Sequence, residues 1–238
     1  MLAETTMTER RSTPNARRWE RLAAATGIVF VVLQVSALAV LGNVPALDDP
    51  PGEIQEFFMD DGGRVLLVAC LVALSALFFL WFLGSLRAFL SAAEGGQGRL
   101  SAVAFGAGLV TITLSVVAFV LPAGLAWEDT AAQADPGLVR TVWNLNTLTL
   151  VPIGATAGAF SLAVALVILR TRVLPRWLGW LNIVSTILGA ISVFYLAADD
   201  SDTPLGPINL VGFLLGMTAI LLLSILMVIR LGKTEPAT

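Results

Sequence analysis

Six long runs of apolar residues determine what this chain of 238 residues can fold into. Each run is long enough to cross a hydrocarbon core of about 30 Å at about 1.5 Å per helical residue. Because lipid cannot satisfy backbone N–H and C=O groups, all six are expected to be helices. The predicted fold class is all-α: a polytopic membrane protein built as a bundle of six transmembrane helices. The predicted spans cover residues 22–42, 64–86, 102–124, 145–169, 177–198 and 207–229.

The overall composition excludes a soluble globular fold. Apolar residues make up 57% of the chain and charged residues 13%, with a mean hydropathy of +0.86. Ordinary soluble domains have about 25% charged residues. The chain also lacks the basic, aromatic-rich surface that nucleic-acid binding requires, so nucleic acid is excluded as a partner. The lipid bilayer is the expected partner.

Charged residues divide the connecting segments into two sets. The two termini, the second loop and the fourth loop together contain 12 of the 14 basic residues. The remaining loops are acidic and contain only Arg64 and Arg140 as basic residues. Since cytoplasmic segments retain positive charge, both termini are expected in the cytoplasm. The predicted boundary anchors are Trp19, Trp81, Trp177 and Trp180 on the inner side and Trp127, Trp143 and Tyr195 on the outer side.

The segments outside the spans are short. Residues 1–16 are polar and non-periodic, which predicts a disordered cytoplasmic tail before a membrane domain at 17–231. A second cytoplasmic tail is predicted at 232–238. The basic leader is similar to the n-region of a signal peptide, but its cleavage would leave an odd number of spans, so an uncleaved anchor is expected. Residues 52–60 predict a short amphipathic helix on the outer surface, acting as a lid or an interface brace.

Ionisable residues, the usual mark of catalysis or ion coupling in a membrane, are missing from the interior of all six spans. The chain has no histidine, which removes the commonest general base and metal ligand. The single cysteine, Cys70, is interpreted as an inert packing residue. The acidic pairs of the outer loops are interpreted as solvated charge rather than a Ca²⁺ or Mg²⁺ site. No catalytic residue, metal ligand or cofactor is therefore expected, and the protein is predicted not to be an enzyme.

The fourth span has an unusual concentration of uncharged polar residues, in TVWNLNTLTLVPIGATAG at 141–158. At about 100° per residue they form two stripes on opposite faces of the helix. The first stripe ends in a GxxxG spacing, which allows a neighbouring helix to approach closely and predicts a packing seam. Its members are Asn144, Thr147, Val151, Gly154 and Gly158.

The second stripe contains Asn146, Thr149, Ile153 and Thr156 and runs past Pro152. Proline has no N–H, so the carbonyl of Leu148 loses its helical partner. Two interpretations are open: the freed carbonyl helps to bind a polar ligand, or threonine hydroxyls and buried water satisfy a structural kink. The candidate ligand-lining residues are Asn146, Thr149, Pro152 and Thr156.

Matching polar and small residues mark the fifth and sixth spans. Asn182, Ser185 and Gly189 belong to the fifth span, and Asn209, Gly212 and Gly216 belong to the sixth. These residues predict either close packing among spans four, five and six or a polar pocket that opens outward between them.

Two stretches, WFLGSLRAFLSAAEGGQGRLSAVAFGAG (81–108) and RTRVLPRWLGWLNIVSTILG (170–189), carry a family resemblance. The chain resembles a group of uncharacterised six-span membrane proteins of actinobacterial type. The resemblance implies a bacterial plasma (inner) membrane location and the six-helix fold. It implies no activity and no catalytic residues.

The expected function is that of a non-enzymatic accessory component of the bacterial plasma membrane. Its partner would be another membrane protein or a second copy of the chain. The alternative is a binder or facilitator of a neutral small molecule or lipid through the pocket between spans four, five and six. A membrane enzyme is a further alternative.

Overall fold

A computed structural model of the protein describes residues 14–194 and 205–233, and within these ranges the chain is helical without any strand, which confirms the all-α fold class. The described residues include eight α-helices and a 3₁₀ turn at Trp127–Asp129. The helices are α1 (Pro14–Leu41), α2 (Pro51–Asp60), α3 (Gly62–Glu94), α4 (Arg99–Ala126), α5 (Thr130–Gln133), α6 (Pro136–Thr171), α7 (Arg176–Ser192) and α8 (Leu205–Lys233).

The six longest helices pack side by side in a closed ring that follows chain order: α1, α3, α4, α6, α7, α8 and back to α1. Neighbours in the ring run in opposite directions. The ring closes where the Ser224 hydroxyl of α8 donates a hydrogen bond to the carbonyl of Ala24 on α1, at 2.6 Å. Gly232 of α8 lies against the guanidinium of Arg21 on α1. The start of α1 and the end of α8 therefore share one end of the bundle, the terminal end, and α2 and α5 lie at the other, the cap end.

Five of the helices, α1, α3, α4, α6 and α8, are long and apolar enough to cross a membrane, as expected for a membrane-embedded bundle. The sixth ring helix, α7, has 17 residues. At about 1.5 Å per residue it is slightly shorter than a hydrocarbon core of about 30 Å. The predicted span 177–198 is longer, and its residues 195–198, including Tyr195, lie outside the described residues.

The main hydrophobic core fills the middle of the bundle and its terminal half. All the ring helices contribute large side chains that are almost completely buried. Because lipid tails are as apolar as these side chains, the core is stabilised by close van der Waals packing between the helices. Central members of this core are Phe30, Phe79, Phe82, Ile112, Phe160, Leu178 and Leu223.

The α3–α4 turn at the terminal end shows how the sequence reverses direction over four residues. Gly95, Gly96 and Gly98 all adopt positive φ, a region that costs glycine little. The Glu94 carboxylate accepts hydrogen bonds from the backbone N–H groups of Leu100 at 2.9 Å and Ser101 at 3.0 Å. These N–H groups have no partner within the helix, so Glu94 caps the start of α4.

Several boundaries and environments differ from the sequence-based expectations. Residues 14–16, assigned to the N-terminal tail, belong to α1, and residues 232–233, assigned to the C-terminal tail, belong to α8. Trp143 is only 8% exposed, because it packs beneath α2 instead of facing lipid. The other five tryptophans are 51–69% exposed, as boundary anchors would be. Cys70 is exposed on α3 and is not a packing residue of the core.

Candidate ligand-binding site

A loop of residues 42–50, the cap loop, connects α1 to α2 and is fastened to the bundle by three side chains. The guanidinium of Arg64 donates a hydrogen bond to the carbonyl of Asn43 at 3.2 Å, and that of Arg140 donates to Leu47 at 3.4 Å. The indole N–H of Trp143 donates to the carbonyl of Pro45 at 3.3 Å. These donors satisfy carbonyls that the irregular loop leaves unpaired.

Two of these anchors are conspicuous in the sequence. Arg64 and Arg140 are the two basic residues that break the charge asymmetry, and each lies near the start of a helix that returns from the cap end. Both guanidinium groups bind the cap loop. An exception to a strong charge pattern therefore indicated a structural contact.

The short helix α2 docks on the same end of the bundle. Ile54 and Phe58 are buried, and the Phe58 ring meets Trp143 edge-on at a centroid distance of 5.8 Å. The amide of Gln55 donates hydrogen bonds to the carbonyls of Ala131 at 2.6 Å and Ala134 at 3.1 Å. The predicted helix at 52–60 is thus confirmed and is a docked brace with a buried apolar face, starting one residue earlier at Pro51.

Beneath the cap loop lies a cavity of about 340 Å³, the cap cavity, walled by α3, α4 and α6. This volume falls within the range of about 300–1,000 Å³ that is typical of ligand pockets. Most of the lining is apolar, with aromatic side chains and two prolines. The lining includes the apolar Phe57, Phe119, Trp143 and Leu150 and the polar Asp48, Asn146 and Thr147.

Asn146 is the buried polar residue of the cap cavity. Its side chain is 6% exposed, and its Oδ1 atom has no hydrogen-bond partner among the described residues. An unsatisfied buried polar group costs about 1–3 kcal/mol. The oxygen itself has almost no accessible surface, so a molecule in the cavity that donated a hydrogen bond to it would remove that cost once the amide turned toward the cavity.

Only one of the four predicted ligand-lining residues borders the cap cavity. Thr149 donates its hydroxyl to the carbonyl of Leu145 at 2.8 Å within α6. Thr156 donates to the carbonyl of Pro152 at 3.1 Å and accepts a hydrogen bond from Thr111 of α4 at 2.9 Å. Thr149, Pro152 and Thr156 are absent from the cavity lining, so their grouping with Asn146 is corrected.

Thr149, Pro152 and Thr156 do not line the cavity because of their angular positions on α6. The cavity is lined by Trp143, Asn146, Thr147 and Leu150, which follow the i, i+3, i+4, i+7 spacing of a single helix face. Asn146 and Thr147 are about 100° apart and both border this face. Thr147, predicted to belong to the packing seam, instead lies in the cavity wall, where its hydroxyl donates a hydrogen bond to the carbonyl of Trp143 at 3.3 Å.

The cap cavity lies among α3, α4, α6 and the cap loop, and not among α6, α7 and α8, where the outward-facing polar pocket was expected. Between α6 and α7 there is an open, mostly apolar groove lined by Ala155, Gly158, Leu162 and Ala190, among others. Thr186 also lines it, but its hydroxyl contacts the carbonyls of Gly158 at 3.2 Å and Asn182 at 2.9 Å.

The predicted glycine seam of α6 lies at the crossing with α7. A Cβ atom on Gly189 would overlap the carbonyl oxygen of Gly154 and lie 3.2 Å from the Cα of Gly158. Helix backbones approach this closely only where both sides lack side chains. On α8, a Cβ on Gly212 would contact Leu188 at 3.4 Å, whereas a Cβ on Gly216 would meet no atom of the described residues within 4 Å.

The polar residues assigned to the seams have separate surroundings. The Asn182 amide donates to the carbonyl of Leu178 at 2.8 Å, and the Ser185 hydroxyl donates to Leu181 at 3.2 Å. Within the described residues, the Oδ1 atoms of Asn144, Asn182 and Asn209 are buried without a hydrogen-bond partner. None of these three residues borders the cap cavity.

In the part of the chain that the structure describes, no three His, Cys, Asp or Glu side chains are grouped in a way that could hold a metal ion. Asp199, Asp200 and Asp202, which the charge pattern predicts to face outward, lie outside the described residues.

No protein-family model, no curated protein and no solved structure matches this chain. The chemistry of the cap cavity therefore carries the functional interpretation.

Proposed function

We propose that this chain is a six-span protein of the bacterial plasma membrane, with both termini in the cytoplasm, that binds a small amphiphilic molecule in the cap cavity. The concentration of basic residues at the terminal end supports this orientation, since cytoplasmic segments retain positive charge. The position of α7 between α6 and α8 supports its assignment as the remaining span.

The observation that carries the proposal is the unpaired Oδ1 of Asn146 in the wall of an otherwise apolar cavity. A ligand with an apolar body and one hydrogen-bond donor complements these surroundings. The body is stabilised by contact with the aromatic lining, and the donor pairs with the amide oxygen. That pairing favours binding by about 1–3 kcal/mol, because it removes the cost of an unsatisfied group.

Binding without transport is the better supported version of this function. The main core begins about two to three helical turns below the cavity, where Phe79, Ile112 and Phe160 are buried against one another and their neighbours. A solute that passed from the cap cavity to the terminal end would have to separate these packed side chains. The accessory, partner-binding role remains a prediction from the sequence, as does the absence of enzymatic activity.

The proposal is tested by replacing Asn146 with leucine, which has nearly the same shape and no polar atoms. The control is Thr149→Val, a loss of polarity one turn away at a residue that does not line the cavity. Native mass spectrometry of gently extracted protein is expected to show small molecules or lipids retained by the wild type and by Thr149→Val, and lost from Asn146→Leu.

The thermal stability of Asn146→Leu shows whether a loss of retained molecules results from unfolding of the variant. Asn146→Leu removes an unsatisfied buried group, so its thermal unfolding temperature is expected to equal or exceed that of the wild type. If the folded Asn146→Leu protein retained the same molecules as the wild type, the cap cavity would not be the binding site.

A further inference from the structure

Three hydrogen-bond donors around the cap cavity are already engaged by the protein itself. The indole N–H of Trp143 binds the carbonyl of Pro45, and the hydroxyl of Thr147 binds the carbonyl of Trp143. In the cap loop, the backbone N–H of Ala46 binds the Asp49 carboxylate at 2.7 Å. A ligand that accepted a hydrogen bond from one of these three donors would have to displace its present acceptor.

Two acceptors at the cavity, by contrast, lack a partner among the described residues. One is Oδ1 of Asn146, and the other is the exposed carboxylate of Asp48, for which no hydrogen bond or ion pair is found within those residues. Asp48 is also the one charged side chain in the lining. Free acceptors, one of them anionic, select a ligand whose polar group is a donor and whose charge is positive.

Aromatic rings in the lining add to this preference. Phe119 and Trp143 border the cavity together with Phe57, and an aromatic face attracts a cation within about 6 Å of its centroid. A cation–π contact of this kind already exists at the rim of the cavity, where the guanidinium of Arg64 lies 5.5 Å from the centroid of the Phe57 ring. The two other rings belong to the cavity wall, where a ligand can reach them.

The charges near the cavity do not cancel this attraction. Arg64 is paired with Asp61 at 2.9 Å, and Arg140 donates to the cap loop. In the part of the chain that the structure describes, the cap end contains nine acidic residues and these two arginines. A surface with this excess of negative charge raises the local concentration of cations.

We propose that the ligand of the cap cavity is a hydrophobic amine bound as its ammonium ion. This inference rests on the proposed function and specifies its ligand class. The ammonium group donates hydrogen bonds to Asn146 and Asp48, and the apolar body contacts the aromatic lining. Such a group occurs in a free organic amine and in the headgroup of an aminophospholipid.

The test compares two probes with the same apolar body, 4-phenylbutylamine and 4-phenylbutan-1-ol. Their binding to the full-length protein is measured by isothermal titration calorimetry in a maltoside detergent, which itself has no ammonium group. The amine is expected to bind about tenfold more tightly than the alcohol, as for a charge-assisted hydrogen bond compared with a neutral one.

Two charge variants identify the source of this preference. Asp48→Asn removes the carboxylate from the lining and is expected to reduce the amine-to-alcohol ratio to about twofold or less. The matched control is Asp60→Asn, which removes an exposed charge from the cap end but not from the lining, and it should leave the ratio unchanged. Both proteins experience the same partitioning of the probes into micelles, so the ratios can be compared directly.

Failure of the amine assignment alone can be distinguished from failure of both proposals. If amine and alcohol bound equally well and both were lost in Asn146→Leu, the cap cavity would be a ligand site but the amine assignment would be wrong. If neither probe bound and no retained molecule depended on Asn146, both proposals would be overturned.

A competition experiment separates the two sources of the ammonium group. If lysophosphatidylethanolamine displaces the bound amine and lysophosphatidylglycerol does not, the ligand is a lipid headgroup. If neither lipid displaces the amine, the ligand is a free amine.

Discussion

Two glycines of the ring helices have opposite surroundings although both belong to the small-residue pattern of their spans. Gly189 faces the backbone of α6 at Gly154 and Gly158, with no room for a methyl group. Gly216 of α8 has no described atom within 4 Å of the position that a Cβ would occupy. At the residue scale, the difference lies in whether another helix occupies the space beside the glycine.

We expect Gly189→Ala to lower the free energy of unfolding by about 2 kcal/mol, because α7 must move away from the Gly154 carbonyl. Gly216→Ala is expected to be neutral or to stabilise the protein by up to about 1 kcal/mol, since alanine is the better helix former. Reversible denaturation in detergent measures both values. Equal effects of the two substitutions would contradict a close crossing of α6 and α7.

At the scale of elements, α2 depends on tertiary contacts for its stability. A helix of 10 residues is marginal in isolation, because helix nucleation is costly and few hydrogen bonds follow it. Its stability comes from Ile54 and Phe58, which pack with Trp143 and Val139 of α6, and from the hydrogen bonds of Gln55. The cap loop is held in place by this docked helix and by the three side chains that bind its carbonyls.

Substitutions at two adjacent positions of α2 test this dependence. Phe58 is 2% exposed and Met59 is 55% exposed. Phe58→Ala is expected to weaken the docking of α2 by about 3 kcal/mol or more, so the amides of α2 should exchange hydrogen roughly a hundredfold faster or more. Met59→Ala should leave the exchange unchanged. Protection of α2 that survived Phe58→Ala would mean that the helix is held by other contacts.

At the scale of the whole molecule, the ring arrangement sets the two ends of the bundle apart. Neighbouring ring helices alternate in direction, so the segments between them alternate between the terminal end and the cap end. Most of the basic residues lie at the terminal end and most of the acidic residues at the cap end. The cap cavity opens among the acidic residues, whereas the main core closes the other half of the bundle.

Reporter fusions test the proposed orientation of the molecule in the membrane. Fusions after residues 95, 173 and 238 are expected to give cytoplasmic signals, because they follow basic segments. Fusions after residues 55, 132 and 201 are expected to give outside signals. Signals from the same side of the membrane at 173 and 201 would contradict the assignment of α7 as a membrane span.

The apolar runs of the sequence are enough to predict the helical class and the membrane-embedded character, because lipid leaves the backbone no alternative to helix, and five of the six predicted spans are long and apolar enough to cross. The polar stripe that passes Pro152 also placed Asn146 among the candidate ligand-lining residues. The packing of the helices shows that Thr147 and Leu150, and not Thr149 and Thr156, share the cavity with it. Helical periodicity gives the angles between residues on one helix, but which angle faces a cavity depends on where the neighbouring helices and the cap loop pack.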